Sequence, residues 1–174
     1  MTERKSLNNK FYSDRQEKMI ANYLGWRQVA GSGARPFVPG DVGAYDWLGE
    51  CKTHDTEKTN IAFQIKHWNK ISDEAMGKHR YPVLFTDNGT QRAENTWVMI
   101  LFSMFDPDQI NIIEGLTNTS TKGSSITFKL AEANSLYQKH VGEERLSVFK
   151  FSCNGRNVAI LPLSTFRDLI EENF

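Results

Sequence analysis

Two apolar runs of strand length, Tyr81-Pro-Val-Leu-Phe-Thr86 and Trp97 to Met104, lie on either side of the turn signal Asp87-Asn-Gly89. They read as buried strands, and such strands need a sheet with covering elements. Helical spacing comes before them. Ile61, Ile65, Trp68, Ile71 and Ala75 recur on one helical face and Gly77 terminates it. Further upstream, Ser13 is the expected N-cap of a helix with Asp14 in its first turn. Met19, Ile20, Tyr23 and Leu24 follow at helical spacing, and Gly25 stops the helix. Trp26 to Ala30 reads as a short strand, Gly31 to Gly40 as a loop, and Asp41 to Lys52 as two short strands with a tight connection. Helices therefore alternate with strands through the first hundred residues. The predicted class is α/β or α+β, with a mixed central β-sheet flanked by helices.

The later chain is read more coarsely. Residues 106–124, rich in Asn, Thr, Ser and Gly, predict a long loop or insertion. A strand over 125–130 and a helix over 131–139 follow. Leu146 to Phe151 and Asn157 to Leu161 predict a hairpin about Asn154-Gly155, and Ser164 a cap on a last helix to Asn173. At 174 residues the chain is one domain's worth of material, with residues 1–12 expected as a flexible polar tail.

Composition excludes several classes. Twenty-one Lys+Arg balance 21 Asp+Glu, so bulk positive charge cannot draw a polyanion. The halves are unequal, however: residues 1–86 carry 13 basic and 10 acidic side chains, residues 87–174 carry 8 and 11. That asymmetry points to an anionic partner for the first half. Two cysteines, Cys51 and Cys153, are too few for a disulfide framework or a cysteine-rich zinc site. The N-terminus lacks the apolar stretch of a secretory leader, and no apolar run reaches the roughly 20 residues that span a bilayer. A soluble protein of the reducing cytoplasm is the expectation. Walker, dinucleotide-binding, zinc-ligand and G-x-S-x-G patterns do not occur.

The segment Pro39-Gly-Asp-Val-Gly-Ala-Tyr-Asp-Trp-Leu-Gly-Glu-Cys-Lys52 carries the chemistry. An E-x-K triplet alone means little, since Glu3-Arg4-Lys5 fits it too. Strand alternation, however, puts Glu50 and Lys52 on one face and Cys51 on the other. If the connection is centred between Tyr45 and Asp46, Asp41 lies opposite Glu50. Opposed carboxylates repel, and a divalent cation relieves the repulsion. Mg²⁺, which binds through one or two carboxylates plus substrate phosphates, suits such a pair, and Lys52 on the same face could stabilise developing charge. A turn-forming Asp41 beside a solvated Glu50–Lys52 pair fits the same residues. Glycines 40, 43 and 49 leave room for a ligand backbone.

With its flanks, this segment resembles the PD-(D/E)XK nuclease superfamily, in particular its phage and archaeal Holliday-junction-resolvase-like members. The resemblance runs from about Ser13 to Thr86. It takes in a helix bearing Glu17, the turn Gly31-Ser32-Gly33, Asp41 of the "PD" element, Glu50-Cys-Lys52-Thr53, and Phe63-Gln64-Ile65-Lys66-His67-Trp68 leading to the Pro-Val-Leu-Phe strand. Here the sequence reads Pro-Gly-Asp where the family has Pro-Asp. The resemblance implies an αβββαβ core of restriction-endonuclease type over 13–104, with 105–174 as a C-terminal elaboration. It implies Mg²⁺ (Mn²⁺ as a substitute) held by Asp41, Glu50 and the Cys51 backbone carbonyl, with Lys52 assisting the water. Glu17 and Gln64 complete the catalytic set.

The activity implied is a structure-selective, metal-dependent endodeoxyribonuclease of DNA recombination or repair, acting as a homodimer on branched DNA in a bacterial or phage-infected cell. A restriction, homing or repair-type enzyme on the same fold is one alternative, and a non-catalytic DNA-binding or assembly module the other. Ser32, Arg35, Lys66, Lys78 and Arg80 are the expected DNA contacts. For Lys78 and Arg80, the plainer reading is a basic helix end offsetting the dipole. His54 and His67 are candidate proton shuttles, though a lone histidine is more often structural. Cys51 reads as a core residue, and the four tryptophans as core packing more readily than as a base-stacking platform.

Overall fold

The computed structural model describes residues 2–29 and 39–173, with side chains described over 9–29 and 39–172. Ten strands and four α-helices follow one another along the described chain. Helix α1 (Thr2–Leu24) precedes β1 (Arg27–Gln28), β2 (Val42–Gly43), β3 (Trp47–Lys52) and β4 (Asn60–Gln64). Helix α2 (Ile65–Gly77), β5 (Tyr81–Thr86), β6 (Trp97–Leu101), β7 (Ile110–Ile113) and β8 (Ser125–Lys129) come next. The chain ends with α3 (Leu130–Gln138), β9 (Leu146–Cys153), β10 (Arg156–Pro162) and α4 (Leu163–Asn173).

Eight strands form one mixed sheet in the order β1-β2-β3-β5-β6-β10-β9-β7, while β4 and β8 make a separate antiparallel ribbon. The pairs β3–β5 and β7–β9 are parallel. A parallel pair needs a crossover, and β4 with α2 supplies it between β3 and β5. This is the mixed sheet flanked by helices that the alternation predicts.

Both faces of the sheet are covered, which is why its central strands are apolar at consecutive positions. Trp47, Cys51, Val83, Phe85, Val98 and Ile100 point to the side closed by Ile20 and Ala21 of α1 and Phe166 and Ile170 of α4. The intervening Leu48, Leu84, Trp97 and Met99 point to the other side, packed by Trp68, Ile71 and Ala75 of α2, Ala133 of α3, and Ile61, Phe63 and Phe128 of the ribbon. Trp47, Trp68 and Trp97 are buried, and Trp26 stacks on Trp47 at 6.2 Å between ring centroids. All four tryptophans belong to the core.

Several expectations shift. Helix α1 starts at Thr2, so Ser13 lies inside it instead of capping it, and the polar segment expected as a tail is helical. The helix expected from Ile61 starts at Ile65, because Asn60–Gln64 pairs with β8 as a strand. Ile61 and Phe63, two apart, are both fully buried there, and the four-residue step from Ile61 to Ile65 only imitates a helical repeat. Ser164 falls within α4, which begins at Leu163. Within 106–124, Ile110 and Ile113 are buried and β7 pairs with β9, so the segment is not wholly loop.

The open ends of β3 and β5 are tied by a polar knot. The buried Asp87 carboxylate accepts from Thr53 Oγ1 at 2.6 Å and from the Gly89 N–H at 2.7 Å. Gln91 Nε2 donates to Thr53 Oγ1 and to the carbonyls of His54 and Gly89. Gly89 has φ +92°, and a Cβ there would land in the carbonyl of Thr56. Backbone cannot yield as a side-chain tip can, so Gly89→Ala should cost about 3 kcal/mol and lower Tm by roughly 6–12 °C. A melt within 2 °C of the parent, by calorimetry, would refute this account of the knot.

Candidate active site

Strands β2 and β3 pair as Val42↔Gly49 and Gly43↔Leu48, and the Asp41 N–H also donates to the Gly49 carbonyl at 2.8 Å, one residue out of that register. Asp41 and Val42 thus both face Gly49, as in a bulge, and the ladder does not run on to the Asp41–Glu50 pair expected from the sequence. There the strands part, because the Asp41 carboxylate takes the place of backbone: its Oδ2 accepts from the Cys51 N–H at 2.8 Å. A strand residue's N–H and C=O face the same edge, so the Cys51 carbonyl is directed toward Asp41 as well.

Glu50 is only 2% exposed although it carries a carboxylate. Burying such a group is costly unless it is paired, and here two ammonium groups pair it. Lys52 Nζ lies 2.9 Å from Glu50 Oε1, and Lys70 Nζ lies 3.2 Å from Oε2 and 3.3 Å from Oε1. Lys70 also approaches Glu74 Oε1 at 3.7 Å, and Glu74 Oε2 accepts from the Gly40 N–H at 3.1 Å. Burial works against the charge of Lys70, but the Glu50 carboxylate, with Glu74 and Asp41, holds its pKa above the ordinary lysine range.

Helix α1 closes the other side. Gln16, fully buried, donates to the Lys52 carbonyl at 2.6 Å. Gln28 Nε2 bridges Asp14 Oδ1 and Glu17 Oε2, each at 3.0 Å. Burial, reinforced by the nearby Asp41, Asp14 and Glu50 carboxylates, pushes the Glu17 pKa up to about 7. Glu17, Asp41 and Glu50 thus lie within electrostatic reach of one another, as expected. His67, half-buried on α2, has its pKa pushed down to about 4 by burial and by Lys52 and Lys66, so it is neutral at physiological pH. The Cys51 thiol is raised well above its usual range by burial and by Asp41, which suits a core residue.

Other expected residues are placed differently. Gln64 ends β4 at the N-cap of α2, roughly 9 Å along the axis from Lys70 at 1.5 Å per residue. Lys66 is in the first turn. The α2 side chain on Glu50 is Lys70, which sequence reasoning missed; its signal was the four-residue spacing of Lys66, Lys70 and Glu74 on one helix face. Gln16 was also missed, being an ordinary polar residue next to Glu17. His54 lies by the Asp87 knot, where its carbonyl accepts from Gln91. Lys78 and Arg80 are not beside Glu50. They follow α2 near the Tyr45–Asp46 turn, where the Tyr81 N–H donates to the Asp46 carbonyl, roughly 10 Å along β3 from Glu50. Ser32 and Arg35 lie outside the described residues.

The glycines leave no opening for a ligand: a Cβ at Gly49 would meet Phe85 at 2.7 Å, and one at Gly40 would meet Leu48 at 2.7 Å. Their smallness serves packing under the site.

Among the described residues, no group of three or more His, Cys, Asp or Glu side chains could hold a metal ion. The donor set expected from the sequence is smaller, two carboxylates and a backbone carbonyl, which suits a hard cation that retains water. Glu17, raised first by burial and then by the Asp41, Asp14 and Glu50 carboxylates, adds a further acid beside that set. The chain matches no family model, no curated protein and no solved structure.

A carboxyl whose folded pKa is raised contributes stability below its unfolded pKa, and that contribution is lost as pH rises through about 7. In chelator, Glu17→Gln should therefore melt like the parent near pH 4.5 and above it at pH 8. The gain should be on the order of 1 kcal/mol, after allowance for solvent at a half-exposed group, or roughly 2–4 °C. A Glu17→Gln protein less stable than the parent at pH 8 would contradict the crowding of these carboxylates.

Proposed function

We propose that this protein is a divalent-metal-dependent endodeoxyribonuclease of the PD-(D/E)XK kind, acting on branched DNA. The observation that carries the reading is the gathering of acids where β2 leaves β3: Asp41 Oδ2 accepts from the Cys51 N–H next to Glu50, both carboxylates act on Glu17, and Lys52 Nζ lies 2.9 Å from Glu50. From α1 through β5 the order is αββββαβ, which becomes the αβββαβ order that the resemblance implies when β4, paired with β8 outside the main sheet, is set aside.

Asp41, Glu50 and the Cys51 carbonyl would hold Mg²⁺, or Mn²⁺ in its place. When bound, the cation would neutralise charge on the phosphodiester and make water a better nucleophile. The remaining chemistry falls to side chains. Lys52, fixed by Glu50 and backed by Gln16 on its own carbonyl, presents an ammonium group to the charge that develops on the phosphoryl oxygens. Lys70 adds a second ammonium from α2 and fills the place that the family gives to a Gln or Lys of the later helix. Glu17 and the neutral His67 are the groups placed to accept a proton from water. Among the described residues no helix is long and apolar enough to cross a membrane. The two cysteines, free and buried, are in keeping with the reducing cytoplasm of a bacterial or phage-infected cell. Symmetric cutting of two strands calls for a homodimer.

One observation favours a second reading. The two ammonium groups on Glu50 would also neutralise it in a DNA-binding module with no metal, where the site is only structural.

A cleavage panel on four-way junction, flap, duplex and single-stranded DNA separates the two. The nuclease reading predicts Mg²⁺- or Mn²⁺-dependent cutting, best on the junction. Asp41→Ala and Lys52→Ala should each reduce it on the order of 100-fold or more. Undiminished cutting by either variant would displace the site, and DNA binding without cutting of any form would favour the module.

A further inference from the structure

Tyr45 is 91% exposed at the apex of the two-residue connection between β2 and β3. The Ala44 N–H donates to the Trp47 carbonyl at 3.1 Å and closes this turn without help from the Tyr45 ring. Neither Tyr45 nor Asp46 has a positive φ, so the turn's geometry sets no demand for an aromatic residue there. Tyr81, 42% exposed, begins the neighbouring strand, with its N–H on the Asp46 carbonyl and its ring 5.4 Å from that of Trp47; Met76 on α2 is 59% exposed. Met76, Tyr81 and Pro82 line a cavity of about 420 Å³ that also takes in Arg80 and Arg156.

Positive charge gathers on the same ground. Gly43 sits opposite both Arg27 on β1 and Leu48 on β3, and a Cβ on Gly43 would lie 3.6 Å from Arg80 Nη1. Opposed residues present their side chains to one face, so Arg27 and Arg80 flank Gly43 on the α2 face of the sheet. Glu50 and Lys52 use that same face, roughly 10 Å further along β3. Arg156 lines the same cavity as Arg80, together with Asp73.

We propose that Tyr45 is a stacking platform for an unpaired DNA base, with Arg27 and Arg80 holding the neighbouring phosphates. The inference rests on the nuclease reading and adds to it the feature of the substrate that is recognised. An exposed ring between guanidinium groups fits a splayed base and its backbone, because every base has a π-face and each phosphate a charge. At about 3.3 Å per strand residue the platform lies roughly 20 Å from Lys52, about six nucleotide steps of about 3.4 Å from the phosphodiester there. A base displaced at a junction or fork comes within reach of it, whereas a paired base in a duplex does not.

The test uses a splayed-arm DNA with 2-aminopurine at its branch, titrated in EDTA so that nothing is cut, beside a linear duplex of the same sequence. Wild type should quench the probe, and Tyr45→Phe should do the same. Tyr45→Ala should lose the quenching and bind the splayed form about 10-fold more weakly, with duplex affinity and melting temperature unchanged. Arg80→Ala should weaken both DNA forms alike. Parental quenching and affinity in Tyr45→Ala would overturn the platform, and metal-dependent cutting abolished by Asp41→Ala would still leave the nuclease reading standing. A wild type that neither binds nor cuts any DNA would end both.

Discussion

A carboxylate buried inside a sheet has to be neutralised where it stands, and the structure around Glu50 is arranged to do this. Lys52 comes from the same strand two residues on, and Lys70 comes across from α2. Remove either ammonium group and a nearly inaccessible charge is left short of a partner. Helix α2 is therefore tied to β3 by charge as well as by the apolar seam of Trp68, Ile71 and Ala75. The tie continues through Glu74 to the Gly40 N–H, and so to the segment that delivers Asp41. One ionic chain thereby connects the helix, the central strand and the loop before β2.

The fold contributes the point of divergence. Parallel pairing of β3 with β5 fixes one edge of β3 as far as Lys52, which pairs with Thr86. Antiparallel pairing with β2 fixes the other edge only as far as Gly49. Beyond it, Asp41 caps the Cys51 amide, so a side chain stands where the ladder would otherwise run on. Helix α1 covers this gap with Gln16 and Glu17, one holding the Lys52 carbonyl and the other adding a third acid.

Much of this is legible in the sequence because it depends on local period and register. The alternation in Glu50-Cys51-Lys52 fixes which side chains share a face. The central apolar runs give away β5, β6 and the β9–β10 hairpin. The two-residue connection at Tyr45–Asp46 fixes the pairing of Val42 with Gly49, which brings the Asp41 carboxylate to the Cys51 N–H instead of opposite Glu50. What cannot be read depends on contacts distant in the chain. Lys70 joins the site only because α2 crosses β3, and its four-residue spacing from Lys66 and Glu74 fits a solvated helix face equally well. Ile61 counts as helical until β8, more than sixty residues later, pairs with it. Glycines 40 and 49, read as openings for a ligand, are small because Leu48, Val42 and Phe85 need the space. Lys78 and Arg80 look adjacent to the site in sequence, but α2 carries them to the far end of the strand.

Calorimetric titration with Mg²⁺ tests most directly whether this carboxylate cluster exists to hold a cation. Wild type should show saturable binding, Asp41→Asn should lose it, and Glu144→Gln, far along the chain, should keep it. Identical isotherms for wild type and Asp41→Asn, or no heat from either, would contradict the account.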